Sequence, residues 1–224
     1  LAKKKRENYL TDLYLTKNSI ENTSDLSAEQ RDQLQKIIQS DNWHYMVGKK
    51  ENIQQIADEL SLSHDTISWL LAGSEVAEKP SDVRIGWRTI GVRPQRISAI
   101  GSIMADVAFE ECGETIDTVV GISINGILFA NALASDLECE VAIHRNVDGE
   151  PGQGSLSNKY GQVAGKRIAI VDDVLSSGLT MSKTIQSMRE AGAEVVLCLV
   201  LVNKTVRNEV DGVPLRGIIR AAVV

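Results

Sequence analysis

Two carboxylates, Asp172 and Asp173, follow the β-branched run Ile168-Ala-Ile-Val171 and lead directly into Val174-Leu-Ser-Ser-Gly-Leu-Thr180. Each residue type here has a chemical use. Gly178 lets the backbone turn its N–H groups inward, and the hydroxyls of Ser176, Ser177 and Thr180 can donate. A helix opening at Thr180 presents its positive end, so a phosphate monoester is held without a lysine. Paired carboxylates beside such a cradle suit the vicinal 2′ and 3′ hydroxyls of a ribose, and can steady a metal-bearing diphosphate. A plain strand, polar turn and helix cap would account for the Ser and Thr but not for two adjacent acids after a buried strand. The expected ligand is a phosphorylated ribose, and the acids are expected to face solvent in a loop.

The surrounding pattern supplies elements to hold these groups. Asp117–Ser123, Glu138–His144, Lys166–Val171 and Glu194–Val202 read as strands, and Pro94–Cys112, Gly126–Asp136 and Thr180–Ala191 as helices. Short apolar runs alternating with amphipathic stretches imply an α/β fold, a parallel sheet with crossover helices. Ligands in such sheets lie beyond the carboxyl ends of strands, here the loops 123–126, 144–165 and 172–180. The chain has 4% aromatic residues, which leaves the core to aliphatic side chains, as suits a buried parallel sheet. Cys112, Cys139 and Cys198 lie far apart without paired ligand spacing, so neither a disulfide framework nor a zinc site is expected. The basic start Lys3–Arg6 is followed by no apolar segment, and no run is long enough to span a bilayer; the expected location is the cytoplasm. A net charge of −6 argues against broad affinity for nucleic acid, while leaving room for a local reading patch.

Residues 1–79 have a different grammar, helical with polar linkers, and the Pro80-containing stretch from Glu75 to Asp82 separates them from 80–224. Within them, Asn52–Gly73 has the spacing of a helix-turn-helix. Ile53, Ile56, Ala57 and Leu60 form one apolar face, Leu62 fills the turn, and Ile67, Leu70 and Leu71 form the next. Ser63 caps the second helix, which would offer Ser63, His64, Asp65 and Ser68 to a major groove. A helical hairpin that packs on another domain or makes a dimer is the alternative. Acidic side chains outnumber basic ones through residue 80, so phosphate contacts would fall to Lys49, Lys50 and the Lys3–Arg6 cluster.

The run from Ile168 to Thr180 resembles the signature of the type I phosphoribosyltransferases: apolar strand, two acids, two variable residues, a small residue pair ending in Gly, one residue, Thr. That resemblance implies ribose contacts from Asp172 and Asp173 and a 5′-phosphate loop of Ser176, Ser177, Gly178, Leu179 and Thr180. Gly121-Ile-Ser-Ile-Asn-Gly-Ile127 looks like the pyrophosphate loop of the orotate branch, which implies a role for Ser123, Ile124, Asn125 and Gly126; that branch usually has Lys where this chain has Asn125. The polar, Gly-rich stretch Arg145–Val163 occupies the position of the mobile lid, with only Arg145 and Lys159 as cations, and reads equally as a surface loop without a catalytic role. Lys204 stands where some purine-type members contact the base; a solvated strand-end lysine is the alternative. The site residues include no assigned catalytic group and no direct metal ligand. Mg²⁺ is expected to arrive with phosphoribosyl pyrophosphate, near Asp172 and Asp173.

Joined to a helix-turn-helix, this domain resembles the archaeal orotate phosphoribosyltransferase-like transcriptional regulators of the GfcR type. Asp82–Gly91 looks like that group's connector and Gly212–Gly217 like its C-terminal segment. The resemblance implies a type I phosphoribosyltransferase-like sheet preceded by a small all-α domain. It also implies a cytoplasmic homodimer that binds operator DNA and senses phosphoribosyl pyrophosphate, a nucleotide or a sugar phosphate. The competing reading is an active, Mg²⁺-dependent orotate or purine phosphoribosyltransferase. A lid poor in cations and Asn125 in the pyrophosphate loop point to weak transfer chemistry or none.

Overall fold

The chain divides into two units, Leu1–Asp82 and Val83–Val224. The computed structural model describes residues 82–83, 85–113, 116–122, 124–146 and 154–221. The helix-turn-helix over 52–73, with Ser63, His64, Asp65 and Ser68, lies outside the described residues.

In chain order the described elements are α1 (Arg88–Gly91), α2 (Pro94–Cys112), β1 (Thr118–Ile122), α3 (Asn125–Asp136), β2 (Glu140–Asn146), β3 (Gly154–Leu156), β4 (Arg167–Leu175), α4 (Leu179–Glu190), β5 (Glu194–Asn203), β6 (Glu209–Val210) and β7 (Val213–Arg220). Pro94 opens α2 at a position where its missing N–H costs nothing. Among the described residues the strands form one sheet in the order β3-β2-β1-β4-β5-β7-β6. Its centre is parallel, and antiparallel β3 and β6 close the two edges. The α/β expectation therefore holds. The three long helices fall where the apolar periodicity puts them, and β4 runs four residues beyond the expected end at Val171.

Alternation along β4 builds both cores. Ile168 and Ile170 face a cluster with Ile122, Met181, Ile185, Met188 and Val200, so α4 covers that side. Ala169 and Val171 face the opposite cluster with Met104, Phe129, Leu133 and Leu199, covered by α2 and α3. Side chains two residues apart share a face, so each strand feeds both layers. The helices α2 and α3 meet through small residues: a Cβ on Gly101 would lie 2.5 Å from that of Ala132.

Register decides where ligands can sit. Gly121 lies beside Val171 on one side and Ile143 on the other, and Leu175 lies beside Asn203. The chain leaves β1 for β2 in one direction and reaches β4 in the other, so the crevice beyond β1 and β4 is the topological switch point of the sheet.

Candidate functional site

The crevice is narrow because glycine makes it so. A Cβ on Gly126 would meet the carbonyl oxygen of Val171 at 2.4 Å and Cα of Asp172 at 2.9 Å, and one on Gly121 would meet Cα of Ile127 at 2.8 Å. Both absences let the first turn of α3 lie directly against β1 and β4. The opening of α3 is thereby set at the strand ends beside the acids. Asn125 and Gly126 are thus brought to the acids as expected. Ile124 is 83% exposed at the rim, and Ser123 lies outside the described residues.

The expectation that both acids are solvent-facing loop residues is corrected. Asp172 and Asp173 belong to β4, and Asp172 still pairs with Val200 of β5. Asp173 is only 7% exposed. Two residues beyond Val171, it shares the parity of Ala169 and Val171 and so turns into the layer under α2 and α3. There its Oδ2 accepts from Nε1 of Trp87 at 2.8 Å and from Nδ2 of Asn125 at 3.0 Å. The backbone N–H of Asp173 donates to Oδ1 of Asp172 at 2.9 Å, which fixes the neighbouring carboxylate. Burial pushes the Asp173 carboxyl above its ordinary value, opposed by the indole N–H, the Asp172 side chain, the Val174 backbone N–H and the Asn125 amide. Trp87 is a site residue that motif reading missed, because it lies 86 positions from the acid it meets. The alternation of β4 carried the available signal, since it marks Asp173 as inward-facing.

Beyond β4, Ser176 to Thr180 form the connection into α4. Gly178 has φ +83° at the N-cap, the left-handed region in which glycine alone is unstrained. Ser177 Oγ accepts from the backbone N–H of Leu179 at 3.3 Å, which tightens the turn, and Thr180 lies in the first turn of the helix. α4 thus opens directly behind the turn, at Leu179. The surroundings add a cation that the motif lacks: Nη1 of Arg207 donates to the Ser177 carbonyl at 3.4 Å. A cavity of about 540 Å³ separates the loop from the segment Arg207–Asp211. Arg207 lies in a turn after β5, outside any motif, and only the fold brings it here.

The remaining candidates spread around the same edge. Arg145 is exposed on β2, and its Cα pairs with Ser155 of β3, so the base of the expected lid is a hairpin rather than loop throughout. Lys159 is exposed in the following turn. Lys204 is half-buried, and its backbone N–H donates to the Leu175 carbonyl at 2.8 Å, which places it one strand from the acids. Among the described residues no group of three or more His, Cys, Asp or Glu could hold a metal ion. The two acids accept N–H groups instead. No described helix is long and apolar enough to cross a membrane.

Comparisons with known proteins agree with this fold. The family described as phosphoribosyl transferase domain matches residues 86–218. The chain is 38% identical over 175 residues to "Transcriptional regulator GfcR" of Thermoplasma acidophilum, covering 76% of this chain and 88% of that protein. It is 37% identical over 183 residues to the GfcR regulator of Picrophilus torridus, covering 80% and 93%. Two solved structures share the fold. The adenine phosphoribosyltransferase of Thermoanaerobacter pseudethanolicus matches with a TM-score of 0.52 at 18% identity, over 64% of this chain and 90% of that one. The orotate phosphoribosyltransferase of Mycobacterium tuberculosis in complex with inorganic phosphate matches with a TM-score of 0.51 at 16% identity, over 63% and 80%. The chain therefore belongs to the phosphoribosyl transferase domain family and, within it, to the group of proteins named transcriptional regulator GfcR.

Proposed function

We propose that this chain is a DNA-binding transcriptional regulator whose effector domain senses phosphoribosyl pyrophosphate, or a related nucleotide or sugar phosphate, in the crevice between β1 and β4. Asp172 and Asp173 take the ribose hydroxyls, and the turn 176–180 takes the 5′-phosphate. Mg²⁺ comes with the ligand's diphosphate, and occupancy shifts the DNA-binding geometry of a cytoplasmic homodimer through the helix-turn-helix at 52–73. The names carried by the relatives support the regulatory half of this reading.

The observation that carries it against an enzyme is the Asn125 side chain. Transfer of a ribosyl group needs positive charge on the departing diphosphate. At the position where the orotate branch has lysine, this chain has an amide that gives one of its two N–H groups to Asp173, and an amide cannot neutralise a diphosphate. Arg145 and Lys159 add little charge over the crevice. The test is calorimetric titration with phosphoribosyl pyrophosphate and Mg²⁺, followed in the same sample by orotate, uracil and purine bases with an assay for released pyrophosphate. Binding without turnover is expected. Turnover with any base would make the chain a phosphoribosyltransferase.

A further inference from the structure

The segment that joins the two units touches the ribose acids. Trp87 lies five residues after Asp82, where the first unit ends, and its indole N–H donates to Oδ2 of Asp173. We infer that Trp87 is a tether that competes with the ligand's ribose hydroxyls for Asp173, so that occupancy of the crevice loosens the connector. The inference rests on the proposed phosphoribosyl site.

Three observations carry it. First, the acceptor is crowded. A carboxylate offers roughly four acceptor positions, and Asp173 already meets the indole, the Asn125 amide and the Val174 backbone N–H. Oδ2 takes both the indole and the Asn125 amide, so a ribose hydroxyl arriving at that oxygen must share or displace one of them. The Val174 donor belongs to β4 itself and the Asn125 donor to the first turn of α3, both anchored in the sheet layers. Trp87 precedes the single-turn α1 and is the donor that lies outside these two elements.

Second, the indole is held so that a change at its N–H reaches the backbone. Its ring packs tilted against Phe129 with centroids 5.4 Å apart. A Cβ on Gly91 would lie 2.6 Å from Cζ3 of Trp87, so only glycine there lets the ring lie along α1. The Trp87 carbonyl accepts the N–H groups of Ile90 at 2.8 Å and Gly91 at 3.1 Å. The residue whose indole binds the acid therefore also starts α1 through its backbone carbonyl, and releasing the indole frays that turn.

Third, the direction follows from linkage. If ligand and indole compete, each weakens the other's hold by the same factor. Removing the N–H should therefore tighten ligand binding, whereas loss of a merely structural bond to the acid would weaken it.

Trp87→Phe deletes the donor and keeps an aromatic ring against Phe129. In the full chain, hydrogen exchange at the Ile90 and Gly91 amides is read by mass spectrometry with and without phosphoribosyl pyrophosphate and Mg²⁺, beside calorimetry of the same samples. In the wild type, saturation is expected to speed exchange at these amides several-fold. In Trp87→Phe, exchange should be fast with or without the ligand, and binding several-fold tighter. Wild-type binding with no change in connector exchange overturns the tether and leaves the phosphoribosyl site standing, whether or not the variant folds. The same follows if the variant retains a ligand-dependent change or binds more weakly. Absence of wild-type binding overturns both.

Discussion

Asp173 sets the chemistry of the crevice at the scale of a single residue, and its burial gives it a pH signature. Its folded-state pKa lies above the ordinary 3.8, with desolvation the largest cause. Across the interval between the two values the native state holds the proton that the unfolded chain has lost. The stability favoured by the neutral acid is thus present at low pH and is lost as pH rises through the folded value. Asp173→Asn has no such titration. In urea melts the stability difference should therefore shift in the variant's favour as pH rises from about 3 to 7, and a pH-independent difference would refute the buried acid. Asp172 is the cleaner probe of the ligand, since it is less buried. Asp172→Asn should weaken phosphoribosyl pyrophosphate binding about tenfold or more, the size of one hydrogen bond to a charged group, with little change in melting temperature. Unaltered affinity by calorimetry would remove Asp172 from the ribose site.

At the scale of elements, the crevice depends on how closely α3 approaches β4. Gly126→Ala puts a methyl group 2.4 Å from the Val171 carbonyl, and a backbone oxygen cannot swing aside as a side-chain tip can. The variant should lose about 1–3 kcal/mol of stability, the usual cost of overpacking, and bind ligand weakly because the N-terminus of α3 is displaced from the acids. A wild-type urea midpoint with normal affinity would show that this contact is dispensable. A second element-level contact joins β2 to α4. His144 is fully buried, its Nδ1 lies 3.5 Å from Oγ1 of Thr184, and its Nε2 has no hydrogen-bond partner among the described residues. Burial lowers its pKa, so the unfolded chain takes up the proton first, and stability should fall as pH drops below the ordinary value of 6.5. His144→Gln should lack that part of the acid-side loss in thermal melts; an identical pH profile would place the titration elsewhere. The long elements were legible because each repeats one rule over many residues. Pro94 and the 3.6-residue spacing bound α2 at both ends, and β-branched runs located β1, β4 and β5. The remaining ones were not. α1 and β6 have too few residues to show a period, β3 hides among polar residues, and β7 interrupts its pattern with Pro214 and Gly217. In the site, the contiguous run 172–180 could be read directly, whereas Trp87 and Arg207 reach it only through long-range packing, which local spacing does not encode.

A regulator of the proposed kind has to connect an acidic chain to DNA, and electrostatics decides how that connection is tested. With a net charge of −6, long-range attraction to a polyanion is absent, so operator affinity must come from a few local contacts whose geometry matters. Ser68 is one of the residues the proposed reading helix would offer to the major groove. Ser68→Glu places a negative charge among phosphates without adding bulk to the apolar positions Ile67, Leu70 and Leu71. Operator affinity should fall about tenfold or more, by repulsion and the loss of a close approach. Phosphoribosyl pyrophosphate affinity in the absence of DNA should stay at its wild-type value, because the effector crevice is built from residues beyond Val83. Raising the salt concentration should narrow the gap between variant and wild type, since the added repulsion is screened. A variant that binds operator as the wild type does would show that this helix is not the reader; DNA contact would then fall to the basic groups outside it, Lys49, Lys50 and the Lys3–Arg6 cluster.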